Sequence, residues 1–352
     1  MIGAGIIGRS VAYFLSRQGF EVALFGEAKS PSPTSRASLG VLTRFNGGNS
    51  SYAHLFRDGH ALHAQLAADL AVEMGVDVGW RPMGSIELYP NACDEDRLEE
   101  LFRSSRQRGC SVERLDEREL REVEPALAAG MWGGLYFPGD HRVDPSKLGA
   151  ALWASALQRG AVAHWGERVL NMAELSGGVE AVTDQRRHRA DFAVLAAGAW
   201  TGELAAALGA KVSVRPVRGQ HARFVGCPLR HLIHVDGYYL VPDGDETLMG
   251  GTVEEVGFDL RTTDDAIEDF TARMGGVLRR SLPFLNQRAG LRAKPKNGRP
   301  LIGPLRDAPR IFVATGHYKN GVLLGPITGE IVAQWIAEGT PGRDMSRFAP
   351  ER

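Results

Sequence analysis

Gly3-Ala4-Gly5-Ile6-Ile7-Gly8 opens the first apolar helical pattern of the chain, and its reading decides the fold. The spacing is the Gly-x-Gly-x-x-Gly fingerprint of a dinucleotide-binding strand–turn–helix unit. Gly3 permits the tight turn, Gly5 lets backbone approach a pyrophosphate, and Gly8 lets the helix pack on its strand. The helix N-terminus then offers unpaired N–H groups and partial positive charge to phosphates. Val11, Ala12 and Leu15 follow at helical spacing, Gly19 ends the helix, and Val22-Ala23-Leu24-Phe25 reads as the next strand. Two departures accompany the fingerprint. Only Met1 and Ile2 precede the turn, where a strand buried on both faces belongs, so the reading expects residues missing upstream. The ribose-gripping acid belongs at the end of the second strand, yet Gly26 stands there and Glu27 follows. That predicts weaker nucleotide retention, tightened by returning an acid to position 26.

At 352 residues the chain suits two domains or one large α/β body. With 41 basic and 42 acidic residues the net charge is −1, which offers nothing to nucleic acid or an anionic membrane. Cys93, Cys110 and Cys227 form no CxxC pair, so neither a disulfide framework nor a zinc site is expected; no metal is. This cysteine usage suits a reducing cytoplasm. No run of about 18 apolar residues exists, and Arg9 interrupts the first apolar stretch, which excludes a signal peptide.

Beyond a hydroxyl- and proline-rich loop at 30–36, residues 51–74 read as a helix, whose His54, His60 and His63 are expected on its surface. Residues 84–89 alternate as a strand, and 94–109 and 116–124 are charged helices. A helix at 147–158 and strands at 161–164 and 179–183 follow. The continuous apolar run 192–200 ends in Gly198, which suits a parallel strand stopping where a ligand approaches. Residues 221–225, 231–241 and 247–252 read as antiparallel strands, 264–281 as a helix, and 311–314 as a strand. A glycine-studded turn at 316–321 leads into a helix ending near Ile336. The fold class is therefore α/β. A Rossmann-like nucleotide domain is expected from residues 1–75, 140–215 and 286–352. A second, α+β domain with a mostly antiparallel sheet is expected from 76–139 and 216–285.

In eight segments, in order, the chain resembles the D-amino-acid oxidase superfamily of flavoproteins, most of all its glycine oxidase branch. They are Gly3 to Gly8; Thr34-Ser35-Arg36-Ala37-Ser38-Leu39-Gly40-Val41-Leu42; Val194 to Trp200; Arg215-Pro216-Val217-Arg218-Gly219-Gln220; Tyr239-Leu240-Val241-Pro242; Gly250-Gly251-Thr252; Ala289-Gly290-Leu291-Arg292; and Gly316-His317-Tyr318-Lys319-Asn320-Gly321. The resemblance implies FAD, bound non-covalently. Gly3, Gly5, Ile6, Ile7 and Gly8 would hold its pyrophosphate, and Gly26 and Glu27 its ribose. Thr34, Ser35, Leu39, Gly40 and Val41 would run along pyrophosphate and flavin ring. Val169 would meet the adenine, and Gly198 would end the strand beside the cofactor. His317, Tyr318, Asn320, Gly321, Val322 and Leu323 would abut the pyrimidine end of the ring, where a helix N-terminus stabilises negative charge on reduced flavin.

On the substrate side, the resemblance assigns Arg292 to the substrate carboxylate, a bidentate task that suits a guanidinium fork. Tyr239 would assist through its hydroxyl. Lys319 stands where glycine oxidases tend to have arginine. The approach to Arg292 through residues 283–288 is shorter than in relatives, which predicts a shifted Arg292. The implied activity is oxidation of glycine or another small amino acid or amine. Hydride would pass from the α-carbon to flavin N5, giving an imino acid, then keto acid and ammonia, with O2 reduced to H2O2. Two alternatives remain open. One is a dehydrogenase of the same fold passing electrons to a quinone or carrier; the other is a flavin-binding protein with little catalysis. Self-association into a homo-oligomer is compatible with the sequence.

Overall fold

A computed structural model of the chain describes residues 1–29, 32–43, 50–91 and 94–351. Ser30, Pro31 and Cys93 lie outside the described residues. The glycine turn sits at the centre of the smaller of the two main sheets. Ile2 bridges Phe25 and Leu195 in parallel fashion on its two sides. Its N–H donates to Val194 O at 2.9 Å, and Ala196 N–H donates to Ile2 O at 2.8 Å. Gly3 N–H donates to Phe25 O at 2.9 Å. Ile2 is therefore paired on both sides, in the position of a central strand. Val162–Trp165 extends the sheet beyond Ala23–Gly26, while Ile311–Thr315 and Leu301–Pro304 extend it beyond Ala193–Leu195. Pairing is parallel except at Leu301–Pro304.

The helix Ile6–Arg17 packs against the helix Gly321–Glu338, and small residues set how closely. A Cβ at Gly329 would lie 2.6 Å from the Ser10 carbonyl carbon, and one at Gly325 would meet Ile6 and Ser10. Helix Ser51–Met74 begins and ends where the sequence placed it. The Ser50 hydroxyl accepts from Ala53 N–H, and Gly75 closes the helix at φ 65°. Its histidines are not all on the surface, because this helix is clasped by the carboxyl-terminal one. His54 is exposed, but His60 and His63 are buried. The His63 Nε2 lies 3.2 Å from both Val322 O and Leu323 O.

The second architecture is one eight-stranded sheet. Its order is Phe284–Pro295, Val214–Val225, Glu246–Gly250, Tyr238–Asp243, Leu232–Val235, Ser85–Tyr89, Gly133–Phe137, Glu113–Asp116. Every pairing is antiparallel except that of Leu232–Val235 with Ser85–Tyr89. The stretch expected as one strand over 231–241 is two, turned by Asp236 and Gly237. Their φ angles of 48° and 81° are those a two-residue hairpin loop demands. The strand Phe284–Pro295 was not expected at all, and the boundary placed at 286 falls inside it. One sheet face is buried under helix Asp264–Val277, with Phe270 and Met274 packing on Ala222, Phe224, Leu240 and Met249. The other face carries Tyr239 and Val241 against Leu39 and Val41 of the nucleotide side. A three-stranded meander, Val169–Leu175, Gly178–Thr183 and Arg187–Ala190, caps the nucleotide side. Among the described residues no helix is long and apolar enough to cross a membrane.

Candidate active site

One elongated cavity of about 1190 Å³ joins the two architectures. At one end it is lined by Gly26, Glu27 and Val169, in the middle by Gly3, Gly5, Ile6, Ile7, Thr34 and Ser35, and at the far end by Gly198, Arg292, His317, Tyr318 and Gly321. Residues from seven separate stretches of chain thus meet in one channel.

Glycine shapes the middle. Gly3 has φ 109°, a conformation that L side chains rarely adopt. Gly8 does not line the cavity; a Cβ there would sit inside the Gly3 carbonyl oxygen, so its role is close packing beneath the turn. No side chain caps helix Ile6–Arg17 from within its own turn. Ile6 N–H donates instead to Ser35 Oγ at 3.0 Å. Ser35 belongs to the short helix Pro33–Arg36, capped by the Ser32 hydroxyl. The middle of the cavity is a backbone cradle with one hydroxyl reaching into it.

Gly26 cannot carry the acid that the sequence reading would restore. A Cβ there would lie 2.5 Å from Ala4 Cβ and 2.9 Å from the Trp165 ring. The acid is displaced to Glu27, which lines the cavity itself. Nearby, His164, Glu167 and His188 bring possible metal ligands within 4.8 Å of one another. Their contacts are those of a hydrogen-bonded cluster. His188 Nε2 lies 2.5 Å from Glu167 Oε1, which also accepts from the Thr183 hydroxyl at 2.8 Å, and the Arg186 guanidinium adjoins at 3.5 Å.

At the far end, Arg292 reaches the cavity from strand Phe284–Pro295, directly opposite Val217. Pairing runs from Pro295 through Asn286 without a register shift, and the one irregularity of the short approach falls beyond it, between Asn286 and Phe284. The guanidinium lies over Gly219, where a Cβ would collide with it. Arg292 Nη1 donates to Thr252 O at 2.7 Å. Burial lowers its pKa, while Tyr318 and Glu254 favour its charged form. Among the described residues no carboxylate forms an ion pair with it.

Tyr318 lines the wall beside Arg292 at φ 52°, a strained conformation for a non-glycine residue. Lys319, next to Tyr318 in sequence, is exposed and is not among the residues that line the cavity. Partial burial of its ammonium, then the neighbouring Arg292 and Lys294, hold its pKa below the ordinary value. His317 is buried, its Nε2 3.0 Å from the Thr328 hydroxyl, and burial pushes its pKa down to about 3, so the ring is neutral. Asn320 faces away, donating to the Tyr52 hydroxyl at 3.4 Å. Val322 and Leu323 are buried, and their carbonyls meet His63. Burial is the largest influence on His63, bringing its pKa to about 4 against the pull of those carbonyls.

Leu39, Gly40, Val41 and Tyr239 stand apart from the lining of this cavity. Gly40 seals against Val143, whose N–H donates to its carbonyl at 3.0 Å. Tyr239 stacks on His234, ring centroids 4.3 Å apart, in a cross-strand row with Gly250 and His221. Burial, then Glu87 and Asp140, push its phenol well above the ordinary range, so it stays protonated. Sequence reasoning assigned no role to Arg218, Gly219, Gln220 and Thr252. Their signal was present in the quoted motifs, but what each touches depends on register between distant strands.

The channel fits FAD: a glycine cradle for pyrophosphate at its middle, an acid at one end, and a guanidinium beside a helix N-terminus at the other. Comparison with known proteins agrees. Residues 1–335 match the family model described as FAD dependent oxidoreductase (DAO). The chain is 30% identical over 367 residues to the glycine oxidase of Geobacillus kaustophilus, spanning 100% of this chain and 96% of that protein. It is 29% identical over 371 residues to the glycine oxidase of Pseudomonas aeruginosa, spanning 99% and 97%. The crystal structure of glycine oxidase from Geobacillus kaustophilus shares the fold at TM-score 0.95 and 29% identity, covering 100% of this chain and 97% of that one.

Proposed function

The chain belongs to the DAO family of FAD-dependent oxidoreductases, and from that premise we propose that it oxidises glycine or another small amino acid or amine, with Arg292 holding the substrate carboxylate. The observation that carries this reading is the state of Arg292. It is a largely buried guanidinium that lines the cavity, and its hydrogen-bond partner among the described residues is a backbone carbonyl rather than an acid. A buried cation without a counter-ion is costly, and a substrate carboxylate would supply one. With Nη1 held by Thr252, Nη2 and Nε have no bond among the described residues and can form a two-point fork.

The bound FAD would be held by the glycine turn, Ser35, Glu27 and Val169, and it supplies a two-electron acceptor for hydride from the α-carbon. The protein's own part is orientation and electrostatics. Arg292 fixes the carboxylate end of the substrate. Tyr318 walls the cavity, and Lys319, next to it in sequence, adds positive charge. Tyr239 bounds the sheet face next to Leu39 and Val41. Helix Gly321–Glu338 directs its N-terminal dipole toward the same end, which favours negative charge there. The imino acid released would hydrolyse to keto acid and ammonia, with O2 taking the two electrons as H2O2.

The test is anaerobic mixing of the yellow protein with glycine, sarcosine and D-alanine. Bleaching by one or more of them is expected, followed by rapid recolouring in air. A flavin that no amine bleaches would overturn the reading. Recolouring by a quinone but not by air would replace the oxidase with a dehydrogenase.

A further inference from the structure

The residue whose backbone carbonyl receives Arg292 is itself held by a network that does not reach the cavity. The segment after strand Glu246–Gly250 returns to pair with Val214–Val225 through one isolated bridge, Arg218 to Glu254. Their backbones exchange hydrogen bonds of 2.9 and 3.0 Å. The two side chains then pair again, with Arg218 Nε and Nη2 donating to Glu254 Oε2 at 2.9 and 2.5 Å. The other carboxylate oxygen, Oε1, accepts from Gln220 Nε2 at 2.9 Å and from the Thr252 hydroxyl at 2.6 Å. Thr252 Oγ1 in turn accepts from Gln220 N–H at 2.7 Å. Its hydroxyl is therefore fixed from both sides, and with it the carbonyl that receives Arg292 Nη1.

Resting on the reading that Arg292 grips the substrate carboxylate, we propose that Glu254 is a positioning residue for that reaction. It acts through Thr252 to set the direction of the guanidinium fork. Neither Glu254 nor Thr252 lines the cavity, so neither is a catalytic residue. The physical case is one of degrees of freedom. An arginine side chain has several rotatable bonds, and strand Phe284–Pro295 fixes only its root. Gly219 leaves room for the guanidinium to lie against the neighbouring strand, and among the described residues the Thr252 carbonyl selects which nitrogen is tied back. Because a misplacement of about 1 Å already costs much in catalysis, the carbonyl must itself be held. Arg218 also ties down Asp259 Oδ2 at 3.2 Å and Arg261 O at 2.8 Å. It anchors the whole returning segment, whereas the Glu254-to-Thr252 link points at Arg292. Burial works against ionisation of Glu254, but the bonds from Thr252, Gln220 and Arg218 outweigh it and keep the carboxylate charged.

A double-mutant cycle on the FAD-loaded protein tests this, with glycolate as a carboxylate probe read by perturbation of the flavin spectrum. Glu254→Ala is expected to weaken glycolate about tenfold with bound FAD unchanged. In an Arg292→Ala background the same substitution is expected to change glycolate binding less than about twofold. An equal loss in both backgrounds, or no loss in the wild type, overturns the proposal. If Arg292→Ala binds glycolate as well as the wild type, the carboxylate reading of Arg292 fails, whatever Glu254 does. Should Glu254→Ala fold poorly, Thr252 gives a second handle. Thr252→Ser keeps the hydroxyl and is expected to bind like the wild type, while Thr252→Val loses it and is expected to bind about tenfold more weakly. Equal binding by the two variants also overturns the proposal.

Discussion

The two ends of the cavity are built from different materials. The nucleotide end, taken together with the middle of the cavity, is largely backbone: Gly3, Gly5, the N–H groups of the first helical turn, and one hydroxyl from Ser35. The substrate end is a long polar side chain steered through a chain of hydrogen bonds: Arg292 by the Thr252 carbonyl, the Thr252 hydroxyl by Glu254, and Glu254 by Arg218 and Gln220. A phosphate is a spherical, highly charged target that any set of aligned N–H groups can hold. A small amino acid offers only a carboxylate, an amine and little else, so its α-carbon must be aimed. Aiming takes rigid side chains, and rigidity here is supplied by a chain of hydrogen bonds. The comparison makes a definite claim: damage at one end should leave the other intact.

The largest effect is expected at the nucleotide end. Gly8→Ala places a methyl within the Gly3 carbonyl, so either turn or helix must move and the cradle is lost. The purified variant is expected to be colourless, with little FAD surviving gel filtration. A yellow Gly8→Ala protein with normal FAD content would show that the turn is more plastic than its packing implies.

Next in size is a pH effect rooted behind the far end. In the unfolded chain His63 titrates near 6.5; in the fold it titrates near 4. As pH falls from 6.5 toward 4 the unfolded chain takes up this proton first, so stability is full above that window and declines through it. The full difference corresponds to about 3 kcal/mol. Thermal melts across this window are expected to show a loss that His63→Gln reduces. An unchanged pH profile in that variant would remove His63 as a cause.

A smaller effect should separate the ends. Gly219→Ala puts a methyl where the Arg292 guanidinium lies. FAD content is expected to stay at the wild-type level while glycolate binding weakens about tenfold, or about 1.4 kcal/mol. Loss of FAD in this variant would mean that the two ends are coupled.

The same division explains what could be read from the sequence. The nucleotide end was legible because its residues are local: Gly3 to Gly8 is one turn, and its glycines have steric reasons visible in the spacing. Helix Ser51–Met74 was legible for the same reason, with a cap at each end. Strand Phe284–Pro295 was missed although Arg288, Arg292 and Lys294 alternate with Ala289, Leu291 and Ala293. The exposed start, Phe284 to Asn286, hid a period of two. The hairpin at Asp236-Gly237 was missed for a simpler reason: an Asp-Gly pair between apolar runs was left inside one strand. His60 and His63 were misplaced because a histidine on an amphipathic helix does not announce which face it takes. The Glu254 network lay beyond reach altogether, since Arg218, Thr252 and Arg292 meet only through the register of strands far apart in sequence. Gly26 is the reverse case. The sequence marked it as a defect, and packing against Ala4 and Trp165 shows it to be a requirement.

The most direct measurement joins the two ends in one preparation: FAD content and glycolate affinity of Arg292→Ala beside the wild type. Losing a charge-assisted bond worth about 1.5–3 kcal/mol should weaken glycolate roughly 10- to 150-fold. FAD content should not change. Full FAD with glycolate binding lost is the predicted result, and full FAD with glycolate binding equal to the wild type would contradict the assignment of Arg292.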